Sequence, residues 1–547
     1  MELTKEEQEY IKERELKRPL RAIHVWSLAV GVVIAGEYFG WNYGLPVGGP
    51  LGMLIASLFV CVLYLVWVLA LAELSVALPF SGGPLAYGRR AVGPWFGFLM
   101  GWSMFLESLF ATIGTGLAAG SFLAFLVNSQ QQDPLHVTFF AVIVTVIFFA
   151  LQCVGVREQA TLALWLTYAA IGALVLFWVA VAPAVRLDRI VTDPLLPNGW
   201  KGVLGAVPYA LWWLVVIEAV ALSAEEVHEP ERNLPAGLVW GQITLVGLVV
   251  ATWFFAVGAG RDYQQTGAVA FPLSLVMQDV WGGTGLEWLV TAFSAVALAG
   301  LLVSFNGMLY STSRQSYALG RAGYLPLIFG TVHVTRRTPT VSLFVWSLVT
   351  VGFIAWGYFN KQAIEQAILV STLTALIWYI LSIYCLFALR RSEPGLPRPY
   401  RVPVYPVLPV VVAILALFAA VMYSVTNINV LPFTLVLYIG GMVYYALWAR
   451  KRLKTAAPEE VAARFAREYA TANPSGRTSW LGTSRGEVVT ALVLLLVVVS
   501  LGWIVIRAMG VAPLLPGGWE IVYTACLYAL ALGCVCGVAL LTTQDRR

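Results

Sequence analysis

Three carboxylates in strongly apolar surroundings are the residues with the most chemistry to offer: Glu37, Glu107 and Glu218. A charged side chain in hydrocarbon is costly, so such an acid faces a cavity, a partner or a solute. Glu37 sits among Gly36, Gly40 and Gly44, just before Pro46. Glycines at that depth suggest a helix that unwinds and turns bare backbone toward a ligand. A broken helix carrying an acid suits a positively charged solute. The rest of the inventory excludes other chemistry. The four His and six Cys show no CxxC or Cys/His spacing, so no metal site or disulfide framework is expected. No Ser/His pair, HExxH or Gly-Lys-Ser loop stands where an intramembrane enzyme could use it. No catalytic residue is expected.

The elements that position these acids follow from composition. The chain is 59% hydrophobic and only 12% charged, and its mean hydropathy is +0.79. That describes an all-α polytopic membrane protein in a lipid bilayer, not a soluble or nucleic-acid-binding one. Apolar windows predict fourteen spans, near 24–43, 50–78, 94–127, 137–156, 159–183, 203–224, 236–258, 286–317, 340–358, 363–389, 404–427, 430–450, 486–508 and 519–541. With the N-terminus inside and strict alternation, the inside segments hold 28 of the 34 Lys and Arg. That bias predicts an integral membrane protein with both termini cytoplasmic; the membrane is expected to be a bacterial inner one. The expected organisation is a cytoplasmic segment 1–22, a transport core 23–390, two further helices in 391–450, a polar linker 451–485, and two additional spans in 486–547. These last are read as peripheral, serving packing or self-association into a homo-oligomer.

Three stretches carry a family resemblance. Ala72 to Tyr87 includes Glu73, Pro79, Gly82 and Gly83; Glu218 to Pro235 includes Glu225, Glu226, Pro230 and Arg232; Ser313 to Pro326 includes Arg314, Arg321 and Gly323. In this order and spacing the chain resembles the amino acid–polyamine–organocation superfamily of permeases. Gly36 to Leu45 and Trp212 to Glu218 are most similar to its ethanolamine permease branch. The resemblance implies an inverted-repeat five-plus-five helix core, with halves near 24–183 and 203–389. Helices one and six would be discontinuous and the substrate would lie between them.

In amino acid permeases of this superfamily the first break usually reads Gly-Ser-Gly and receives a carboxylate. Here the aligned triplet is Ala35-Gly36-Glu37. A carboxylate beside a carboxylate costs several kcal/mol, of order, in a low dielectric. The departure points to an amine and away from an α-amino acid. The substrate-binding set read from the sequence is therefore Ala35, Gly36, Glu37, Tyr38, Gly40, Glu107, Trp212, Trp213 and Glu218. Glu37 either meets the solute or caps the second half-helix. Glu225, Glu226 and Arg232 are read as a cytoplasmic gating cluster. No cofactor is expected. The fifth span, 159–183, lacks the Lys of some proton-coupled relatives, and Ser304 and Asn306 are weak candidates for a sodium site. Coupling is expected to run on protons or on the membrane potential. The first expectation is a transporter for a small ethanolamine-like cation. The rivals are an amino acid or polyamine permease and a non-transporting sensor or scaffold with the same fold.

Overall fold

The computed structural model describes residues 20–127, 133–154, 156–336 and 338–454. The two spans expected after residue 485, the linker from 455 and residues 1–19 lie outside the described residues.

The first span is interrupted: α1 (Ala22–Val33), a single turn α2 (Ala35–Tyr38) and a 3-10 turn (Trp41–Gly44) lead into α3 (Leu45–Ala77). After α4 (Pro84–Ala91) come three long helices, α5 (Pro94–Val127), α6 (Pro134–Val154) and α7 (Val156–Val181). A short α8 (Leu187–Ile190) precedes the second interrupted span, α9 (Gly199–Leu211) and α10 (Ala219–Leu222). Then follow α11 (Pro230–Ala259), the short α12 (Tyr263–Gly267) and α13 (Pro272–Trp281), α14 (Trp288–Arg321), α15 (Thr340–Gly357), α16 (Ala363–Ser392), α17 (Val407–Thr426) and α18 (Leu431–Leu447). Ten helices among the described residues are long and apolar enough to cross a membrane. With the two interrupted spans they make a polytopic helical architecture. The short helices α4, α8, α12 and α13 were not expected; each lies in a connection, and α4 and α13 begin with Pro84 and Pro272, whose fixed φ suits a first helical turn.

The helices pack in two groups. In one, α1 lies on α11, and α3 lies on α9 and α11. In the other, α5 packs on α14 and α6, and α15 on α6 and α14. Helix α7 bridges the groups by touching α1 and α14, while α16 lies along α5. Helix α5 is buried along nearly its whole length, so it is the axis around which the interrupted spans are held.

Of the glycines at which the sequence suggests unwinding, Gly36, Gly40 and Gly44, the structure places the main irregularity at Gly40. Residues 35–38 form a helical turn, Phe39 is extended, and Gly40 reverses the chain at φ +95°. An added Cβ at Gly40 would also lie 2.2 Å from the Trp212 indole, so backbone and space both demand glycine there. Between α1 and α2 the hydrogen-bond ladder is spliced by a side chain. The Ser304 hydroxyl accepts from the Ala35 amide at 2.8 Å and donates to the Gly31 carbonyl at 2.7 Å. The second break spans residues 212–218 and includes Val216 at φ +70°, a conformation that strains a β-branched residue by about 1–3 kcal/mol.

Ser304→Ala should leave that amide and that carbonyl without their partner in an apolar interior. A loss of about 1–3 kcal/mol is expected, measured as a lower melting temperature in detergent; an unchanged melting temperature would show that the splice contributes nothing.

Candidate functional site

The two breaks touch through their backbones. An added Cβ at Gly36 would sit 2.7 Å from the Trp212 carbonyl oxygen and 2.9 Å from the Trp213 Cα. Trp41 stacks on Trp213 with centroids 4.6 Å apart. Asn42 holds the first break in shape. Its carbonyl oxygen accepts from the Gly40 amide at 2.8 Å, and its side-chain amide donates to the Thr266 and Val269 carbonyls, each at 2.8 Å.

Beside the second break lies a buried cluster built from α5, α16 and α3. Glu107 on α5 and Glu218 at the end of the break are both fully buried. The Tyr379 hydroxyl reaches Glu218 Oε1 at 2.8 Å and Glu107 Oε1 at 3.3 Å. Trp378 donates its indole N–H to Glu107 Oε2 at 2.6 Å. The amide of the strained Val216 donates to Glu107 Oε1 at 3.3 Å. The Tyr64 hydroxyl pairs with that of Tyr379 at 3.1 Å, and Trp67 lies across the Tyr379 ring at 3.9 Å. Glu218 Oε2 has no hydrogen-bond partner among the described residues other than what the neighbouring Glu107 carboxyl could offer. The two carboxyl groups also approach each other. Two such groups in a dry site are accommodated together when a proton or another cation stands between them.

The sequence-derived candidates distribute unevenly around this cluster. Glu107 and Glu218 come together. Glu37 is fully buried, and among the described residues no donor lies in good hydrogen-bond geometry to either carboxyl oxygen, the Thr252 hydroxyl being the neighbouring polar group that could serve it. Its neighbours are Thr252 on α11 and Cys61 on α3, and it takes no part in the contacts of the Glu107–Glu218 cluster. Capping of the second half-helix by Glu37 is not seen; Asn42 satisfies Gly40 instead. Ala35 is tied to Ser304. Tyr38 donates to the Ala170 carbonyl on α7 at 2.5 Å, and its ring fills the space over Gly300, so it packs between helices. Trp213 donates to Ser57 at 3.0 Å. Trp212, fully buried, leaves its indole N–H unpartnered and reaches Gly114, two turns along α5 from Glu107.

The acids of the expected gating cluster are held by other cations. Arg321 grips Glu225 at 2.6 and 2.9 Å, and the Ser81 amide donates to the same carboxylate at 2.8 Å. Arg314 lies 2.8 Å from Glu226, whose other oxygen accepts from Tyr310 at 2.5 Å. Arg232, expected here, is exposed on the first turn of α11 and forms no ion pair among the described residues. Glu229 at φ +49° turns the chain into α11 and leaves position 232 facing outward. A third lock at this end joins Glu73 to Arg390 and to the Val402 amide at 2.7 Å. Sequence reasoning missed Tyr379, Trp378, Tyr64, Trp67 and Asn42. Adjacent Trp378 and Tyr379 within an apolar span were the available signal, but nothing in one chain says which Trp or Tyr faces inward.

Interrupted helices packed in two groups around buried acids suit a polytopic membrane transporter. The chain belongs to the family described as Amino acid permease, matching it over residues 21–447. It is 31% identical to an uncharacterised transporter of Rhizobium meliloti (strain 1021), over 72% of this chain and 83% of that one. It is 25% identical to the branched-chain amino acid permease BcaP of Bacillus subtilis (strain 168), over 81% and 95% of the two chains. It is 26% identical to the methylthioribose transporter of the same organism, over 80% and 95%.

Two tests follow from this geometry. Glu37→Gln removes a buried carboxyl with no well-formed hydrogen bond among the described residues and keeps its volume, so its melting temperature should equal or exceed that of the parent; a fall of several degrees would show that the Thr252 hydroxyl or another donor serves Glu37. At the other end, burial pushes the Glu225 carboxyl up, and Arg321 with Ser81 overrides it, leaving the group below its usual range. A carboxyl lowered by folding contributes stability that is complete above its ordinary pKa and fades as pH falls through the lowered one. Parent stability should therefore hold down to about pH 4 and decline in stronger acid. Arg321→Gln should lose about 3–5 kcal/mol at neutral pH and flatten the acid decline. Thermal unfolding across pH checks both, and an Arg321→Gln profile parallel to the parent's would remove the pair from the account.

Proposed function

We propose that this protein imports a small organic cation, an ethanolamine-like primary amine, by alternating access. The observation that carries this reading is the Glu107–Glu218 pair beside the second break, with Glu218 Oε2 lacking a donor among the described residues beyond what the Glu107 carboxyl could offer. An ammonium group supplies the three donors and the positive charge that such a pair lacks. Trp212, with its ring near the same break, offers a face or an edge to the remainder of a small solute. The sequence leaves the counter-charge to Glu37, Glu218 or both; the shared contacts of Glu107 and Glu218 favour that pair in this reading.

The arginine-locked end is read as cytoplasmic, in a bacterial inner membrane, from the Lys and Arg bias. The locks at Glu225, Glu226 and Glu73 hold that end closed, so import requires them to part. The driving force is read as protons or membrane potential, the latter about 2.3 kcal/mol per charge per 100 mV. The carboxyl pair provides a place for a proton when no amine is bound.

A second reading, an amino acid permease, draws on the relatives' names, since BcaP is a branched-chain amino acid permease. The two readings separate by ligand. Ethanolamine should raise the melting temperature of the purified protein, whereas leucine, isoleucine and methylthioribose should not. Glu218→Gln should weaken ethanolamine binding at least about tenfold, or about 1.4 kcal/mol, with an unchanged elution profile. Stabilisation by a branched-chain amino acid with no response to amines would overturn the proposal.

A further inference from the structure

A cavity lies at the end of the bundle away from the arginine locks, and neither Glu107 nor Glu218 lines it. Its volume is about 790 Å³, within the range that takes drug-sized ligands. It is enclosed by α5, α15, the first two turns of α16, the α17–α18 connection and the start of α18. The cavity is two-faced. One side is aromatic: Phe110, Phe353, Trp356 and Phe433. The other is polar, with Glu365 the sole charged side chain among the lining residues, flanked by amides such as Gln366 and Asn427.

Glu365 is half-engaged. Its Oε1 accepts from the Tyr209 hydroxyl on α9 at 2.5 Å, while no described residue donates to Oε2. Gln366 and Asn427 are turned to neighbours within the wall, Asn360 and Thr426, so they leave the carboxylate as the feature that selects a charge. At the aromatic side Trp356 and Phe433 remain 48% and 44% exposed, so the cavity is open between α15 and α18, toward the lipid-facing surface. An apolar body entering there meets rings, and its head meets one carboxylate.

We propose that this cavity is an accessory binding site for an amphipathic monoamine, with its ammonium on Glu365 and its apolar part against Phe110, Phe353 and Phe433. The site does not depend on which solute the central carboxyl pair receives. The same chemistry has two sources, a soluble arylalkylamine and a lipid with a primary-amine headgroup.

The full-length protein carrying Gln362→Cys at the cavity rim, in phosphatidylcholine nanodiscs, provides the test. Labelling of the introduced thiol by a maleimide is followed against the background of the unsubstituted protein. 4-Phenylbutylamine should slow labelling, and neutral 4-phenylbutanol should do so at least about tenfold less effectively. Adding Glu365→Gln should erase that preference. Adding Phe353→Ala should weaken protection by the amine while keeping its advantage over the alcohol, and this variant carries the test if Glu365→Gln does not fold. Protection only when phosphatidylethanolamine replaces phosphatidylcholine would assign the same site to the lipid. Equal protection by amine and alcohol, or no protection by either amine source, would overturn the proposal.

Discussion

A helix interrupted inside a membrane leaves amides and carbonyls with no water to satisfy them, and the whole core answers that constraint. The two interrupted spans meet backbone to backbone at Gly36 and Trp212–Trp213, where no side chain larger than hydrogen fits. Three orphaned groups near the breaks are then served by side chains: Ser304 of α14 splices the first ladder, Asn42 within the first break closes the turn at Gly40, and Glu107 of α5 receives the amide of Val216. The breaks are therefore held partly by their own residues and partly by the group built on α5 and α14.

That dependence ties the scaffold to the chemistry. Glu107 serves the backbone of the second break and also shares Tyr379 with Glu218. A change in the charge held between the two acids acts directly on the amide of a strained residue in the break. The strain at Val216, about 1–3 kcal/mol, is comparable to a single charge-assisted hydrogen bond. On the proposed function, a proton or cation held at the pair and the geometry of the second break would be of similar energetic weight, as coupling a bound solute to helix movement requires.

The opposite device operates at the arginine-rich end. Glu225, Glu226 and Glu73 are each satisfied by guanidinium groups and by backbone or hydroxyl donors. Buried pairs of this kind add little net stability compared with an apolar core, but separating one partner from the other is costly. They tie separate elements together: Arg321 and Arg314 lie on α14 while Glu225 and Glu226 follow α10, and Glu73 on α3 meets Arg390 on α16.

Composition and apolar runs determined the fold class, because a bilayer admits helices whose length and polarity are written directly in the sequence. The spans near 94–127, 286–317 and 363–389 sit close to their observed bounds for that reason. The motifs that resemble a permease family were legible too, and the family match covers them. What the sequence left open was direction. Three buried acids stood out equally, yet a helix drawn from one chain does not say which neighbour each face meets. Only tertiary packing set Glu107 against Glu218, turned Glu37 toward Thr252 and Cys61, and left Arg232 outside while Arg314 and Arg321 closed on the acids. Tyr379 and Trp378 became part of the site through contacts with residues more than 160 positions away in the chain, a distance over which local periodicity carries no information.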